Sequence, residues 1–220
     1  MIDLDKTRLV AIVGDMNSGK TNLAVHIMRA YQGDRKIYTL GYPKQIDNFT
    51  SLNKKRDINK LSNSIICIDE LSKFFPVVSR RTPQDFISLV RVLAHKNNTI
   101  ITTTQLSQDL TKTMEAFVDT FLITRLADLR FLKLGSKIKF AVQDCADIRM
   151  NGEALDLIPG EYLQSCQASL PGEDGIKSFP FQEIGKDWVR EVSVQVQSCL
   201  SGPVSSGRVT SSLGAARQRS

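Results

Sequence analysis

The chain has 220 residues, 41% hydrophobic and 24% charged, and its net charge of +6 favours polyanionic partners, nucleic acid above all. That apolar fraction excludes global disorder, and four scattered cysteines without a CxxC pair exclude a disulfide scaffold, a zinc knuckle and a redox dithiol. No apolar run approaches the ~20 residues that span a bilayer, and Asp3 and Asp5 stand where a secretory leader needs basic residues, so a cytoplasmic protein is expected.

Over the first 125 residues short β-rich runs alternate with helical patterns, which predicts a mostly parallel sheet flanked by helices, an α/β fold. Leu9 to Val13 reads as a buried strand. From Lys20, the residues Leu23, Ala24, Ile27, Met28 and Tyr31 recur on one face of a 3.6-residue repeat, a helix with Gly33 as its stop. Ile37 to Leu40 reads as the second strand, closed by Gly41 and Pro43. Residues 44 to 63 are polar and basic (Lys54, Lys55, Arg56, Lys60), with Phe49, Leu52, Ile58 and Leu61 as sparse anchors. Ile65 to Ile68, apolar on both faces, reads as an interior parallel strand.

Thr82-Pro83-Gln84-Asp85 is a helix start: a capping hydroxyl, proline at the first helical position, then an acid in the first turn. The helix is predicted to bury Phe86, Leu89, Val90 and Leu93 and to end near Asn97-Asn98. Thr99 to Thr103 and Thr120 to Arg125 read as the fourth and fifth strands, with a helix around Leu110, Met114 and Phe117 between them. Beyond 135, Lys137 to Val142 alternates, and Asn151-Gly152 is a hairpin turn signal before Ala154-Leu155. Residues 201 to 220 hold six Ser, three Gly and three Arg with no acid, and are expected to be disordered. The chain thus divides into a core over 1–135, a small β-rich, hairpin-containing C-terminal extension over 136–200 packed on the core, and a tail over 201–220.

Gly14-Asp15-Met16-Asn17-Ser18-Gly19-Lys20-Thr21 matches G-x-x-x-x-G-K-[ST], with a strand before it and a helix after it. Glycines let the backbone wrap phosphate oxygens, and the N–H groups of Gly14, Asn17, Ser18 and Gly19 and of the helix start point inward. Lys20 reaches the β- and γ-phosphates and the Thr21 hydroxyl coordinates Mg²⁺, so ATP and Mg²⁺ are the expected ligands. Ser64-Ile65-Ile66-Cys67-Ile68-Asp69-Glu70 delivers two acids at a strand end: Asp69 to the metal opposite Thr21, Glu70 to orient or deprotonate an attacking water. Thr99-Ile-Ile-Thr-Thr-Thr-Gln105 ends a strand at the same sheet edge. Gln105 there either senses the γ-phosphate and positions the water, or merely caps the next helix with Ser107.

These three motifs, in this order, resemble those of the FtsK–HerA superfamily of P-loop ATPases (RecA/ASCE-like), most closely the small genome-packaging ATPases of tailless double-stranded DNA viruses, archaeal ones included. The related assembly ATPases of filamentous phages look similar too. The likeness covers about residues 8 to 125. It implies a sheet order of 5-1-4-3-2, a ring homo-oligomer (usually a hexamer), ATP-driven movement of double-stranded DNA, and docking to a capsid or membrane assembly. It also implies a trans arginine finger entering a neighbour's site. Arg81 or Arg80, in the loop between Pro76 and Pro83, fills that role; Arg91, His95 and Lys96 also qualify, and the loop arginines equally suit DNA phosphates. The chain lacks the barrel or winged-helix modules of the larger translocases, so DNA contact falls to loops such as 44–60 or Arg80-Arg81.

Two other functions compete. A nucleotide-gated switch is weakened in its GTPase form because no Asn-Lys-x-Asp occurs: Asn53-Lys54-Lys55-Arg56 and Asn59-Lys60-Leu61-Ser62 both end in the wrong residue. A small-molecule kinase is disfavoured by Glu70, since a water-activating base suits hydrolysis. Cys67 reads as a core residue, His26 as a packed or surface imidazole, and Trp188, Phe179 and Phe181 as pins for the C-terminal segment.

Overall fold

The computed structural model describes residues 2–76, 84–105, 112–126, 150–151, 154–155, 157, 159–166 and 175–179, all within a unit spanning Met1–Gly185. In chain order these form β1 (Leu9–Val13), α1 (Lys20–Ala30), β2 (Lys36–Leu40), β3 (Thr50–Leu52), a 3-10 turn (Lys55–Lys60), β4 (Ser64–Ile68), α2 (Leu71–Phe74), α3 (Gln84–His95), β5 (Thr99–Thr104), α4 (Lys112–Glu115) and β6 (Thr120–Ile123). Four short strands follow: β7 (Met150–Asn151), β8 (Ala154–Leu155), β9 (Glu161–Cys166) and β10 (Gly175–Ser178).

An eight-stranded sheet runs in the order β10-β9-β6-β1-β5-β4-β2-β3. Its middle, β6-β1-β5-β4-β2, is the 5-1-4-3-2 order of the five predicted strands, all parallel; β9 and β10 add an antiparallel edge beside β6. Every residue of β1, β4, β5 and β6 is buried, as parallel strands covered on both faces must be. Register then places the site. Val13 pairs with Thr104 and Ile68 with Thr102, so β1, β4 and β5 end side by side and hand Gly14, Asp69 and Gln105 to one edge of the sheet.

The α3 helix buries Phe86, Leu89, Val90 and Leu93, the four residues its periodicity marks, and the Phe86 ring stands edge-on to Phe75 with centroids 5.4 Å apart. Elsewhere the structure departs from expectation. The first helix stops at Ala30, not at Gly33: Tyr31 turns extended (ψ 125°), because its hydroxyl donates to Asp5 at 2.9 Å and accepts from Arg35 Nε at 3.2 Å. Residues 44–63 hold a strand, β3, which extends the sheet in parallel to β2. Helix α2 begins directly after the acid pair. The fifth strand ends at Ile123, two residues before Arg125.

The Asn151 hairpin is present, with Met150 paired to Leu155 and Asn151 to Ala154. At the end of β10, Phe179 is buried, donates its N–H to Gly160 O at 2.8 Å, and stacks tilted against His26 of α1 (5.5 Å) and Tyr162 (6.1 Å). It pins the segment as read from the sequence, and His26 is a packed imidazole. The 135 boundary, Lys137 to Val142, Thr82-Pro83, Phe181, Trp188 and the tail lie outside the described residues.

Candidate active site

The loop between β1 and α1 is shaped by close approach. A Cβ on Gly14 would lie 1.9 Å from Thr124 Oγ1 and 2.6 Å from Ser18 Oγ, so only glycine lets β6 back this loop. Asn17 (φ +58°) and Gly19 (φ +89°) take left-handed backbone, which bends the chain into a cradle. Its outer wall is tied to β6: Asp15 N–H donates to Arg125 O at 3.1 Å, and the Ser18 and Thr124 hydroxyls share a hydrogen bond at 2.6 Å. Helix α1 starts with neither a side-chain cap nor an acid in its first turn, so its positive end is uncompensated.

Lys20 is buried at 8% exposure, and its ammonium donates to the loop carbonyls of Gly14 (2.9 Å) and Asp15 (2.5 Å). Burial lowers its pKa, against the opposing fields of Asp69, Asp15 and Glu70. Two of its three donors are thus spent on carbonyls of the loop itself.

Across the sheet edge, Asp69 Oδ1 accepts from the Thr21 hydroxyl at 3.1 Å and from Thr103 Oγ1 at 2.8 Å. Burial pushes its carboxyl above the ordinary value, and the two hydroxyls only partly offset this. Thr103 Oγ1 also accepts the Glu70 N–H at 2.8 Å. Glu70 itself has φ +56°, a left-handed conformation costly for a residue with a side chain, and it is the residue from which α2 departs. Both oxygens of its carboxylate are held: Oε1 accepts from Gln105 Nε2 at 2.6 Å, and Oε2 pairs with the Lys73 ammonium. Close behind, Gly41 (φ +89°) leaves no room for a Cβ, which would sit 2.7 Å from Asp69 O.

No protein-family profile and no curated protein matches this sequence. Solved structures do. The genome packaging NTPase B204 from Sulfolobus turreted icosahedral virus 2 in complex with sulfate aligns at a TM-score of 0.56 and 14% identity, over 80% of this chain and 98% of that one. Its ATPγS complex aligns at 0.55 and 15% identity, over 82% of this chain and 100% of that one. The pCW3 conjugation coupling protein TcpA, with ATPγS, aligns at 0.55 and 13% identity, over 89% of this chain and 66% of that one. The chain shares the P-loop NTPase fold of these proteins.

Within this P-loop NTPase fold, the sequence-predicted residues Gly14, Asn17, Ser18, Gly19, Lys20, Thr21, Asp69, Glu70 and Gln105 meet at one sheet edge. The Gln105 amide is turned to Glu70; Ser107, Arg80 and Arg81 lie outside the described residues. Two polar residues of the site escape the motifs: Thr124, just after β6, and Lys73, three residues after Glu70. Thr103 lies within the third motif, but nothing in the sequence sets it apart from the other threonines of that strand. Cys67 is core: burial raises its thiol pKa to about 12, and it faces the Tyr42 hydroxyl at 3.0 Å.

Proposed function

We propose that the chain is an ATP-hydrolysing motor that moves double-stranded DNA in viral genome packaging. It works as a homo-oligomeric ring, a hexamer, in the host cytoplasm or at the virion. The observation that carries the hydrolytic part is one hydrogen-bonded chain, Thr21–Asp69–Thr103–Glu70–Gln105, anchored on the phosphate-shaped loop. The DNA part is supported by the fold, by the +6 charge, and by the description of an aligned protein as the DNA-packaging ATPase of Sulfolobus turreted icosahedral virus. Among the described residues no helix is long and apolar enough to cross a membrane.

In this reading the loop N–H groups and Lys20 hold the β- and γ-phosphates of ATP, the lysine exchanging loop carbonyls for phosphate oxygens. The donor set at Thr21 Oγ1 and Asp69 Oδ1, two oxygens 3.1 Å apart, fits a hard ion such as Mg²⁺ that keeps waters and phosphate oxygens in its shell. Bound there, Mg²⁺ would neutralise charge on the phosphates. Glu70 takes the proton of the attacking water, and Gln105 aims the carboxylate. Arg81 or Arg80, from a neighbouring subunit, stabilises the charge that builds on the γ-phosphoryl group. The core over 1–135 carries this chemistry, and β9 and β10 of the extension lengthen its sheet.

The test is ATP turnover of wild type, Lys20→Ala and Glu70→Gln, with and without double-stranded DNA, beside native mass with ATP. Lys20→Ala should abolish turnover. Glu70→Gln should bind ATP and turn it over about 10²–10⁴-fold more slowly, the scale of a lost general base. DNA should stimulate the wild type, and its mass should be that of a ring. A monomer indifferent to DNA would overturn the motor.

A further inference from the structure

Both oxygens of the Glu70 carboxylate are occupied by protein donors. Gln105 approaches from β5, a rigid and fully buried strand, and its neutral amide orients Oε1 without competing strongly for a proton. Lys73 is different in kind. It stands on the first turn of α2, three residues from Glu70, with an exposed side chain that places a full positive charge on Oε2. Its field also reaches Asp69. A carboxylate works as a base through a lone pair free to meet the water's proton, and an ammonium on that oxygen occupies the lone pair.

We infer that Lys73 is a positioning residue that restrains Glu70: the Lys73–Glu70 ion pair occupies Oε2 and holds the carboxylate in place, and turnover requires that pair to open. The inference rests on the hydrolytic reading of Glu70 given above. The geometry suits a restraint that opens readily. The Lys73 side chain is 62% exposed, so water competes for its ammonium, and the link is an i,i+3 contact on one short helix. The Glu70 backbone is meanwhile fixed independently, by the Thr103 bond to its N–H. Opening the pair therefore frees the carboxylate without displacing the residue. The restraint is weak by design of its exposure, so its removal changes rate by a small factor rather than by orders of magnitude.

The experiment compares wild type, Lys73→Met and Lys73→Arg in the full chain, reading kcat and KM for ATP and, separately, the affinity for a fluorescent non-hydrolysable ATP analogue. Lys73→Met should raise kcat about two- to fivefold, the scale of an exposed ion pair, with KM and analogue affinity unchanged. Lys73→Arg keeps the charge and should stay at the wild-type rate. In a Glu70→Gln background the Lys73→Met gain should vanish, since there is no ion pair left to break. An unchanged or lowered kcat for Lys73→Met in an enzyme that Glu70→Gln disables would overturn the restraint and leave hydrolysis standing. A gain that persists without the Glu70 carboxylate would overturn it as well. If the wild type neither binds the analogue nor turns ATP over, the hydrolytic reading fails and the restraint falls with it.

Discussion

Thr103 Oγ1 donates to Asp69 and accepts from the Glu70 N–H, so one buried oxygen aligns both acids. Thr103→Val keeps the shape and deletes both bonds, leaving a half-buried carboxylate and a half-buried N–H short of partners, at a cost of about 1–3 kcal/mol. Turnover should fall about 10- to 100-fold and denaturation should show the lost stability, while Thr103→Ser restores both; steady-state kinetics with urea titration reads this. Asp69 carries a second consequence. Burial raises its folded pKa above the ordinary 3.8, so the ionised form weakens the fold at neutral pH. That cost disappears as pH falls through the folded value towards 3.8, where the unfolded chain protonates too. Asp69→Asn should therefore raise Tm at pH 7, with the advantage shrinking towards pH 4 in calorimetry. That Lys20, Thr21 and Asp69 gather at one sheet edge was legible in the sequence, because phosphate and metal chemistry restrict residue type and spacing. Thr103 was not, because a threonine in a β-rich run is indistinguishable from a mere strand former until a partner strand's acid stands beside it.

At the scale of elements, the helix α3 holds the region behind the acids. Phe86 is fully buried and meets Phe75, which closes α2, the helix that departs from Glu70. Phe86→Ala should cost about 3–5 kcal/mol, seen as an earlier denaturant midpoint at unchanged slope. Periodicity exposed this helix plainly, since four apolar residues at spacings of three and four leave one solution. The strand β3 was hidden for the opposite reason. Its three residues, Thr50, Ser51 and Leu52, are too few to show alternation, and they become a strand only because β2 offers a free parallel edge. Helix α1 was read one turn too long because Tyr31 continues the apolar face, while its hydroxyl answers to Asp5 and Arg35 instead.

Across the whole molecule, strand number and type came from local pattern, but strand order did not: it followed from likeness to known folds, since nothing within Leu9–Val13 names its neighbours. The antiparallel addition of β9 beside β6 was equally illegible, because Leu163 and Ile123 are partners forty residues apart, beyond the reach of local pattern. The same topology has a consequence during synthesis. Strand β1 lies between β5 and β6, whose residues 99–104 and 120–123 are made some ninety to one hundred and ten positions later. At roughly 5–20 residues per second, the nascent chain holds an unpaired, wholly apolar Leu-Val-Ala-Ile-Val segment for about 5–20 seconds outside or within the ribosome. The loop at its end is thus translated well before the strands that complete it and takes shape only with them, and through that interval the exposed apolar segment is open to wrong pairing.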